Sequence, residues 1–455
     1  MRKIFYSLAA LSAVMMVSCN KEASPIETPS QEAEKVQVVL PIATRGLATR
    51  ADGDQHDIAA ERKLNSVDVF FFRADGTLDA QYSFSGTEIT NDASTPFATN
   101  ENAMVLGYNA QQTSAKKMWV SNAVLDVYAV ANAPADVKNT VTSFATFKTC
   151  VSQFTQNTID GVDNGNFVMV GRLTAQNIAT IAEDATHKVK CLKTMEMERI
   201  ANKVLLKKLT KNFTSPAYQN AKVTLEGAWI VNAPKAVNYA AIFPTQSGAR
   251  VPDALLFGQY LGSVKTNYPT SAEGDALYHN PTFAAASGWE ANNLITNVPA
   301  SGIEITAAGT AFDNTPVAQP QGFAFYFYPN PAIESDDITV EDYVTKLTLK
   351  VKVAVDGGET HTYWYPIAIN QAKRHTNDLY VAAPDATAKQ RNLIYVIDNL
   401  TLKMAGNKAD GTPEDDDPNE YIDNSIVDLH ITVLDWVTGE IVGSYNDRGW
   451  GDLNL

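Results

Sequence analysis

Cysteine and histidine are scarce in this chain of 455 residues, which holds three cysteines and six histidines. So few thiols exclude a fold held together by several disulfides, and the sequence has no CxxC pair or HExxH motif to bind zinc. It also lacks a P-loop and a GxSxG nucleophile motif. We therefore expect no catalytic, cofactor or metal site, and a protein that is not an enzyme.

Positive charge is also in short supply. Lys and Arg number 36 against 51 Asp and Glu, so the formal net charge is −15. A surface this acidic repels phosphate backbones and anionic lipid headgroups. The composition therefore argues against nucleic acid as a partner and against binding to an anionic membrane surface.

The apolar run at the start of the chain, residues 4–16, is too short to span a bilayer. It follows Arg2 and Lys3 and leads through Val17 and Ser18 to Cys19, which is the pattern of a bacterial lipoprotein signal peptide. We predict a signal peptide at 1–18 and lipidation of Cys19, with an ordinary signal peptide and an incidental cysteine as the alternative. The polar residues 20–31 would then form a tether.

From Val67 onward, hydrophobic residues recur with a period of two. Residues 347–353 (LTLKVKV) alternate strictly, and further strands are predicted at 66–72, 125–130, 223–231 and 394–402. Short alternating strands separated by Gly, Asn and Pro are typical of antiparallel β-sandwiches. Only 141–155 and 173–182 have a helical spacing, so the prediction is an all-β fold with one or two short helices.

We expect two β-sandwich domains, at 51–212 and 213–404. The polar residues 405–424 (AGNKADGTPEDDDPNEYIDN) are predicted to be an acidic, extended linker. They lead to a last patterned segment at 425–455, which we call the donor segment.

Two stretches at opposite ends of the chain share one alternation. In residues 36–42, which we call the leader strand, the inward-facing set is Val36, Val38, Leu40 and Ile42. In the donor segment, the inward-facing set is Val427, Leu429, Ile431 and Val433. Because size and spacing match, either set could fill the same strand-wide groove. The alternative is that the leader is an ordinary edge strand and 427–433 is the last strand of the second domain.

Residues 43–54 (ATRGLATRADGD), which follow the leader strand, are small and polar and contain Arg45 and Arg50. An extended segment of this kind suits an Arg-specific protease. Cleavage would free the leader strand and expose an apolar groove with unpaired backbone groups, which a strand from another subunit could fill. Donation from head to tail does not close on itself, so it would build a filament.

Pro41 lies within the leader strand, whereas residues 425–445 contain no proline. Proline cannot donate to a ladder and suits edges, ends or bulges. We hypothesise that the leader strand is the weaker occupant of the groove, which the donor segment replaces once the covalent tether is cut.

Several short motifs follow one another in a specific order. They are SCNKE at 18–22, RADGD at 50–54, VYAVANA at 127–133, FVMVG at 167–171, MERIANKV at 197–204, RNLIY at 391–395 and ITVLDW at 431–436. In this order they resemble the fimbrillins of Bacteroidales, the FimA- and Mfa-type major fimbrial subunits, and the Mfa-type short-fimbria shaft subunit most closely. The resemblance runs along the whole chain.

The resemblance implies two transthyretin-like β-sandwich domains and export as an outer-membrane lipoprotein precursor. It implies maturation by a gingipain-type Arg-specific cysteine protease after Arg50 or after Arg45, which makes 19–50 a lipidated propeptide. The donor segment, with Trp436 in its terminal strand, would insert into the N-terminal domain of the next subunit. Partners would be further copies of the chain, the protease, accessory anchor and tip subunits, and host or bacterial surface receptors.

Other features fit structural roles better than functional ones. Asp52, Asp54 and Asp57, like residues 414–417, lack the spacing of a calcium loop and are expected to be solvated. Cys150 and Cys191 could form one disulfide or stay two buried thiols, and 198–199 (ER) is expected to be an ion pair or an exposed pair at a sheet edge. Core packing is expected, rather than a sugar-stacking platform, for Tyr326, Tyr328, Tyr363, Trp364 and Tyr365.

Three functions therefore compete. The first is the polymerising shaft subunit of a cell-surface fimbria, supporting adhesion and biofilm formation, with the mature form in the extracellular fimbria. The second is a lipid-anchored surface or tip adhesin that binds glycan or host protein without polymerising. The third is a surface hydrolase with an unfamiliar site. The matched strands at the two ends favour the first.

Overall fold

Strands make up almost all of the regular structure in the part of the chain that the computed structural model describes. The described residues are 34–44, 59–89, 97, 103–108, 116–133, 137–153, 167–231, 233–234, 236–238, 278–279, 301–312, 323–328, 346–358, 360–369, 373–376, 379–382, 391–403, 427–435, 441–446 and 449–450. The chain divides into Met1–Glu34, of which only Glu34 is described, and Lys35–Leu455. Cys19, Arg45, Arg50, Trp436 and the acidic linker therefore lie outside the described residues.

In chain order, the earlier strands are β1 (Lys35–Ala43), β2 (Ser66–Arg73), β3 (Leu78–Ser85), β4 (Ala103–Leu106), β5 (Met118–Ser121), β6 (Val124–Ala131), β7 (Val151–Gln153), β8 (Met169–Asn177), β9 (Lys190–Cys191), β10 (Met195–Glu196) and β11 (Glu198–Arg199). The later strands are β12 (Asn202–Leu206), β13 (Lys208–Lys211), β14 (Lys222–Val231), β15 (Ala233–Pro234), β16 (Ala236–Asn238), β17 (Tyr278–His279), β18 (Ile303–Ile305), β19 (Thr310–Ala311), β20 (Phe323–Phe327), β21 (Lys346–Ala354), β22 (Thr360–Ala368), β23 (Lys373–Thr376), β24 (Leu379–Ala382), β25 (Leu393–Leu402), β26 (Val427–Asp435), β27 (Ile441–Asn446) and β28 (Gly449–Trp450). Among the described residues the α-helices are α1 (Val137–Thr140) and α2 (Phe144–Thr149), and single 3-10 turns occupy Ala59–Arg62, Gly86–Glu88 and Ile178–Thr180.

The strands between residues 35 and 199 form two main sheets. The leader sheet is built around β1, which pairs with β4 and β5 in antiparallel and with β9 and β10 in parallel orientation. The opposing sheet has the order β11-β8-β6-β2-β3. The buried sides of both sheets contribute to one hydrophobic core, which is the layering of a β-sandwich.

The opposing sheet follows the sequence pattern closely. The predicted strand at 66–72 is β2, which forms an antiparallel hairpin with β3. Gly76 takes a φ of +82° in the connecting turn, a conformation in which a Cβ would be strained. The predicted strand at 125–130 is β6, and Asn132 ends it with a φ of +56°. The Asn132 side chain accepts from the Asn65 amide and donates to the carbonyls of Lys63 and Phe167.

The later strands form two further main sheets. One has eight strands, in the order β19-β13-β25-β26-β27-β28, with β12 paired to β25 and β20. The other has the order β18-β14-β21-β22. The strands of the first two main sheets end with β11 at Arg199, and those of the later two begin with β12 at Asn202. This change of sheet membership lies before the division at 212 that the sequence suggested. Shorter ladders join β15 to β17, β7 to β16 and β23 to β24.

Strict alternation correctly identified the inward side of these sheets. The apolar members of β21 are fully buried: Leu347, Leu349, Val351 and Val353. A strand of this kind buries one face and leaves the other more exposed, so its period-two pattern indicates the all-β class. The all-β prediction is confirmed.

Both helical predictions need correction. The described part of the stretch 141–155, residues 141–153, contains the six-residue helix α2, and the chain continues into β7 from Val151. The stretch 173–182 is not a helix, because β8 runs as far as Asn177 and only a single 3-10 turn follows. Pairing of β8 with β6 overrode the local helical spacing.

No helix within the described ranges combines the length and the hydrophobicity that a bilayer crossing needs.

Candidate functional site

The leader strand lies at the centre of its sheet rather than at the edge. β5 and β4 pair with successive halves of β1 on one side, and β9 and β10 pair with it on the other. Among the described residues, none of these four strands has another strand partner within the leader sheet. The alternative of an ordinary edge strand therefore does not describe β1. Its removal would leave a slot one strand wide between two walls.

The inward-facing set of the leader strand is in the hydrophobic core. Val38, Leu40 and Ile42 have no exposed surface, and Val36 is half-buried and packs against the same core. Burying an aliphatic side chain of this size is worth about 1.5–3 kcal/mol. The leader strand therefore contributes substantially to its sandwich, and an empty slot would expose apolar surface.

The outward face of β1 is buried as well, which the sequence reasoning missed. Val39 packs in a separate cluster with Phe97, Val105 and Val189. Around it, Phe97, Tyr108 and His187 make edge-to-face contacts with ring centroids 5.0–5.4 Å apart. The signal was the unbroken apolar run at 38–40, because strands buried on both faces lose their alternation. A replacement strand must therefore suit both faces of the slot.

Pro41 lies where the leader strand changes partners. The carbonyls of Val39 and Ala43 accept hydrogen bonds from the amides of Leu192 and Met197, so the odd-numbered residues face β9 and β10. Pro41 falls between these bonds, where β1 pairs with neither β9 nor β10. The missing N–H is thus placed at a gap in the ladder, which explains how a central strand tolerates proline.

The described chain ends at Thr44 and resumes at Ala59, so both arginines of the proposed cleavage segment lie outside the described residues. The two flanks are firmly held. Ala43 and Thr44 are buried before the segment, and Glu61 is completely buried after it. A cut between them would separate β1 from the body without removing either anchored flank.

Glu61 is held by a buried polar network. Its Oε1 lies 2.7 Å from the Nζ of Lys203, which is also fully buried, and accepts from the Tyr326 hydroxyl at 2.5 Å. The backbone carbonyl of Glu61 accepts from the Nε of Arg199 at 2.9 Å. The network therefore ties the chain just after the cleavage segment to strands β11, β12 and β20.

Arg199 excludes one of the two alternatives expected for residues 198–199, an exposed pair at a sheet edge. It is fully buried rather than part of an exposed pair, and its backbone amide donates to the Asn392 side chain. Leu393 in turn donates to the Asn202 side chain. The two motifs around 197–204 and 391–395 therefore meet at the change of sheet membership, where a backbone amide of each donates to an asparagine side chain of the other.

The described part of the donor segment lies in its own chain's sheet. β26 pairs with β25 on one side and with β27 on the other, and β27 continues to β28. This matches the alternative in which 427–433 forms the last strand of the second domain. The C-terminal hairpin, which is β26 with β27 and its short continuation β28, nevertheless forms the end of the sheet, so only the β25 ladder joins it to the other strands described there. Its inward-facing side chains and Trp436 lie outside the described residues.

The cysteines of the described region do not form a disulfide. Cys150 and Cys191 are half-buried thiols that are not bonded to each other, which is the second of the two sequence expectations. Burial raises the pKa of the Cys191 thiol, so the neutral form is favoured. Nothing in this setting activates the thiol.

The aromatic strands are core elements. Tyr326, Tyr328, Tyr363 and Tyr365 are buried, so the core-packing expectation fits them, while the side chain of Trp364 lies outside the described residues. No group of His, Cys, Asp and Glu suited to a metal ion occurs within the described ranges. The acidic clusters at 52–57 and 414–417 lie outside them.

Comparison with known proteins agrees with the motif order. The family described as "Major fimbrial subunit protein (FimA)" matches residues 35–220. None of the curated proteins compared with the chain matches it.

Solved structures with a TM-score above 0.5 share the fold. Two structures of a proposed cell adhesion protein from Parabacteroides distasonis each give a TM-score of 0.51, at 14% and 15% identity. They cover 89% of this chain and 98% and 100% of theirs. A fimbrilin from Porphyromonas gingivalis gives a TM-score of 0.48 at 13% identity, covering 89% of this chain and 98% of that one.

The family match begins at Lys35, the first residue of β1, and extends through both sheets of the first sandwich. Residues 35–220 match the FimA family of major fimbrial subunits, which agrees with the resemblance to fimbrillins that the motif order predicted.

Proposed function

We propose that this fimbrial protein is the polymerising shaft subunit of a cell-surface fimbria, assembled by strand exchange after Arg-specific proteolysis. The observation that carries the proposal is the position of β1, which is central in its sheet and buried on both faces. A strand in this position fills a slot between β4 and β5 on one side and β9 and β10 on the other. Its removal creates a specific vacancy that only another strand can fill.

Cleavage supplies the trigger. In the precursor, β1 is tethered to the body, so its effective concentration at the slot is very high. A cut after Arg50 or Arg45 leaves the ladder intact and removes only this advantage. A strand from another subunit can then compete for the slot on equal terms.

The C-terminal hairpin is the proposed donor. It lies at the end of its sheet and is joined to the other strands described there by the β25 ladder alone. Transfer of a strand from this position disrupts less structure than extraction of a central strand. Once inserted in a neighbour, a strand paired on both sides must unzip as a unit, so the contact is kinetically long-lived.

The remaining features complete the scheme. Cys19 carries the lipid anchor of an outer-membrane precursor, residues 19–50 are the propeptide, and the mature form lies in the extracellular fimbria. The acceptor is the first sandwich and the second sandwich carries the donor, with the change of sheet membership between Arg199 and Asn202 marking the boundary. The partners are further copies, the protease, and anchor and tip subunits, and the fibre supports adhesion and biofilm formation.

One observation favours the second function, a lipid-anchored surface or tip adhesin that does not polymerise. β26 is paired with β25 of its own chain, so both potential exchange strands are occupied in one molecule. A tip adhesin would keep this arrangement after export. The two functions differ in whether cleavage releases a polymerising subunit.

Limited digestion of the purified precursor with an Arg-specific protease tests the proposal. Cleavage of the wild-type chain should produce a ladder of oligomers on mild-detergent gels. A chain ending at Asn424 should be cleaved at the same rate and stay monomeric, because it lacks the donor segment. The matched control is Arg45→Lys/Arg50→Lys, which retains the charge, resists the protease and should stay monomeric.

Two results would contradict the proposal. Assembly of the chain ending at Asn424 would place the donor elsewhere. A cleaved wild-type chain that remains monomeric would favour the non-polymerising adhesin.

A further inference from the structure

Strand β5 forms one wall of the slot and depends on the leader strand for its ladder. It has four residues and pairs with residues 35–38 of β1, its only strand partner within the described part of the chain. When β1 leaves, β5 loses every ladder bond. A strand this short has too few other contacts along its backbone to stay extended by itself.

The far edge of β5 is bonded by side chains of the opposing sheet. The Tyr82 hydroxyl on β3 donates to the Trp119 carbonyl at 2.8 Å and accepts from the Trp119 amide at 2.7 Å. One side chain thus satisfies both backbone groups of this residue. Tyr82 itself is positioned by an edge-to-face contact with Phe71, at 6.3 Å between ring centroids.

Asp79 repeats this arrangement two residues further along β5. Its Oδ2 accepts from the Ser121 amide at 2.8 Å, and its Oδ1 accepts from the Ser121 hydroxyl at 2.5 Å. Arg73 donates to the same Oδ1 through Nε at 2.9 Å. The Asp79 carboxylate is completely buried, so its charge strengthens these hydrogen bonds.

The geometry separates the two edges of β5. In an antiparallel strand, alternate residues turn their backbone groups to opposite sides. Trp119 and Ser121 bond to the opposing sheet, so Met118 and Val120 are the residues that face β1. The bonds from Tyr82 and Asp79 are therefore independent of the leader strand and remain possible when the slot is empty.

We propose that Tyr82 and Asp79 are positioning residues that hold β5 as a formed wall of the slot between departure of the leader strand and arrival of the donor. The inference rests on the proposed strand exchange, and the incoming partner is the donor segment of a second copy. Without these bonds, the cleaved subunit would have to rebuild β5 before it could accept a strand.

Hydrogen exchange on the intact precursor tests the bonds themselves. In the wild-type chain, the amides of Trp119 and Ser121 should be protected although they lie on the edge away from β1. Tyr82→Phe should accelerate exchange at Trp119, and Asp79→Ala at Ser121, by roughly tenfold, as expected for one net hydrogen bond. Tyr218→Phe, which removes a hydroxyl outside both sheets of the first sandwich, should change neither amide.

Mixed assembly tests the role. Chains ending at Asn424 can accept a strand but not donate one, so acceptor and donor defects can be measured apart. After cleavage, a Tyr82→Phe acceptor should pair with a wild-type donor roughly tenfold more slowly than a wild-type acceptor does. A full-length Tyr82→Phe chain should donate to a wild-type acceptor at the normal rate, because its C-terminal hairpin is untouched.

The outcomes are distinguishable. An unchanged acceptor rate beside altered exchange at Trp119, or unchanged exchange at both amides, overturns the inference and leaves strand exchange standing. Failure of wild-type chains to assemble after cleavage rejects the proposed function, and the positioning role with it. The unfolding midpoint of the intact Tyr82→Phe precursor checks that the slower acceptor is folded, because the loss of one net hydrogen bond should lower the midpoint only slightly.

Discussion

At the residue scale, the chain depends on a few buried polar contacts that connect distant positions. Glu61 and Lys203 are 142 positions apart, and neither side chain has exposed surface. Asp79 shows the balance of forces in such places. Burial raises the pKa of its carboxyl group, but the bonds from Ser121 and Arg73 outweigh that effect and leave the pKa below its usual value. Its contribution to stability is thus present at neutral pH and is lost as acidification protonates it.

Removing one partner of the buried pair should be costly. Lys203→Met leaves the Glu61 carboxylate buried without its counter-ion, and we expect a loss of about 3–5 kcal/mol in the free energy of unfolding. Urea denaturation of the intact precursor measures it. Lys207→Met is the matched control, because Lys207 pairs with Asp398 at an exposed site and should cost about 0–1 kcal/mol. Equal losses for the two variants would contradict the prediction.

At the scale of elements, the leader strand and the C-terminal hairpin occupy different kinds of position. β1 is central, whereas the hairpin forms the end of its sheet. Alternation alone predicted the inward-facing residues of β1, because the side-chain period of a strand is a local property. It could not predict that β1 has partners on both sides, since the patterns of β4, β5, β9 and β10 are too short to stand out.

Pro41→Thr tests whether proline weakens the leader strand. Threonine would supply an N–H directed toward the gap between β9 and β10. On either side of position 41, the carbonyls of Val39 and Ala43 already accept from the amides of Leu192 and Met197. The hypothesis requires that a carbonyl in this gap accept the new N–H. Such a bond, worth about 0.5–1.5 kcal/mol, would hold the cleaved leader more tightly and slow polymerisation several-fold. Time courses on mild-detergent gels measure the rate, with Pro41→Ala to separate the N–H from the larger side chain. Unchanged or faster polymerisation of both variants would reject the hypothesis.

At the scale of the whole molecule, one covalent chain carries both β1, which fills the slot, and the donor segment, which is proposed to replace β1 in another copy. The precursor is closed because the tether keeps β1 at the slot. After a cut in 45–58, the same contacts become those of a bound peptide, and stability becomes linked to peptide concentration.

This linkage predicts a change in thermal unfolding. For the cleaved chain ending at Asn424, added synthetic peptide of residues 34–44 should raise the unfolding midpoint. At a peptide concentration a hundredfold above Kd, the free energy of unfolding should increase by about 2.7 kcal/mol. The uncleaved chain should not respond, because its slot is filled. A peptide with Val38 and Leu40 both changed to Asp is the control. A higher midpoint for the uncleaved chain, or an equal rise with the control peptide, would contradict a slot that cleavage makes available to peptide.

The sequence by itself determined the all-β class, the inward-facing residues of the leader strand and of β21, and the resemblance to fimbrillins, because alternation, turn residues and motif order are local. Only the tertiary structure decided that the leader strand is central, that Val39 has its own cluster, and that Glu61 meets Lys203 across 142 positions. These contacts join segments far apart in the chain, and their pairing depends on the packing of the whole core. The same physics explains why the local spacing at 173–182 misled: pairing with β6 outweighed it.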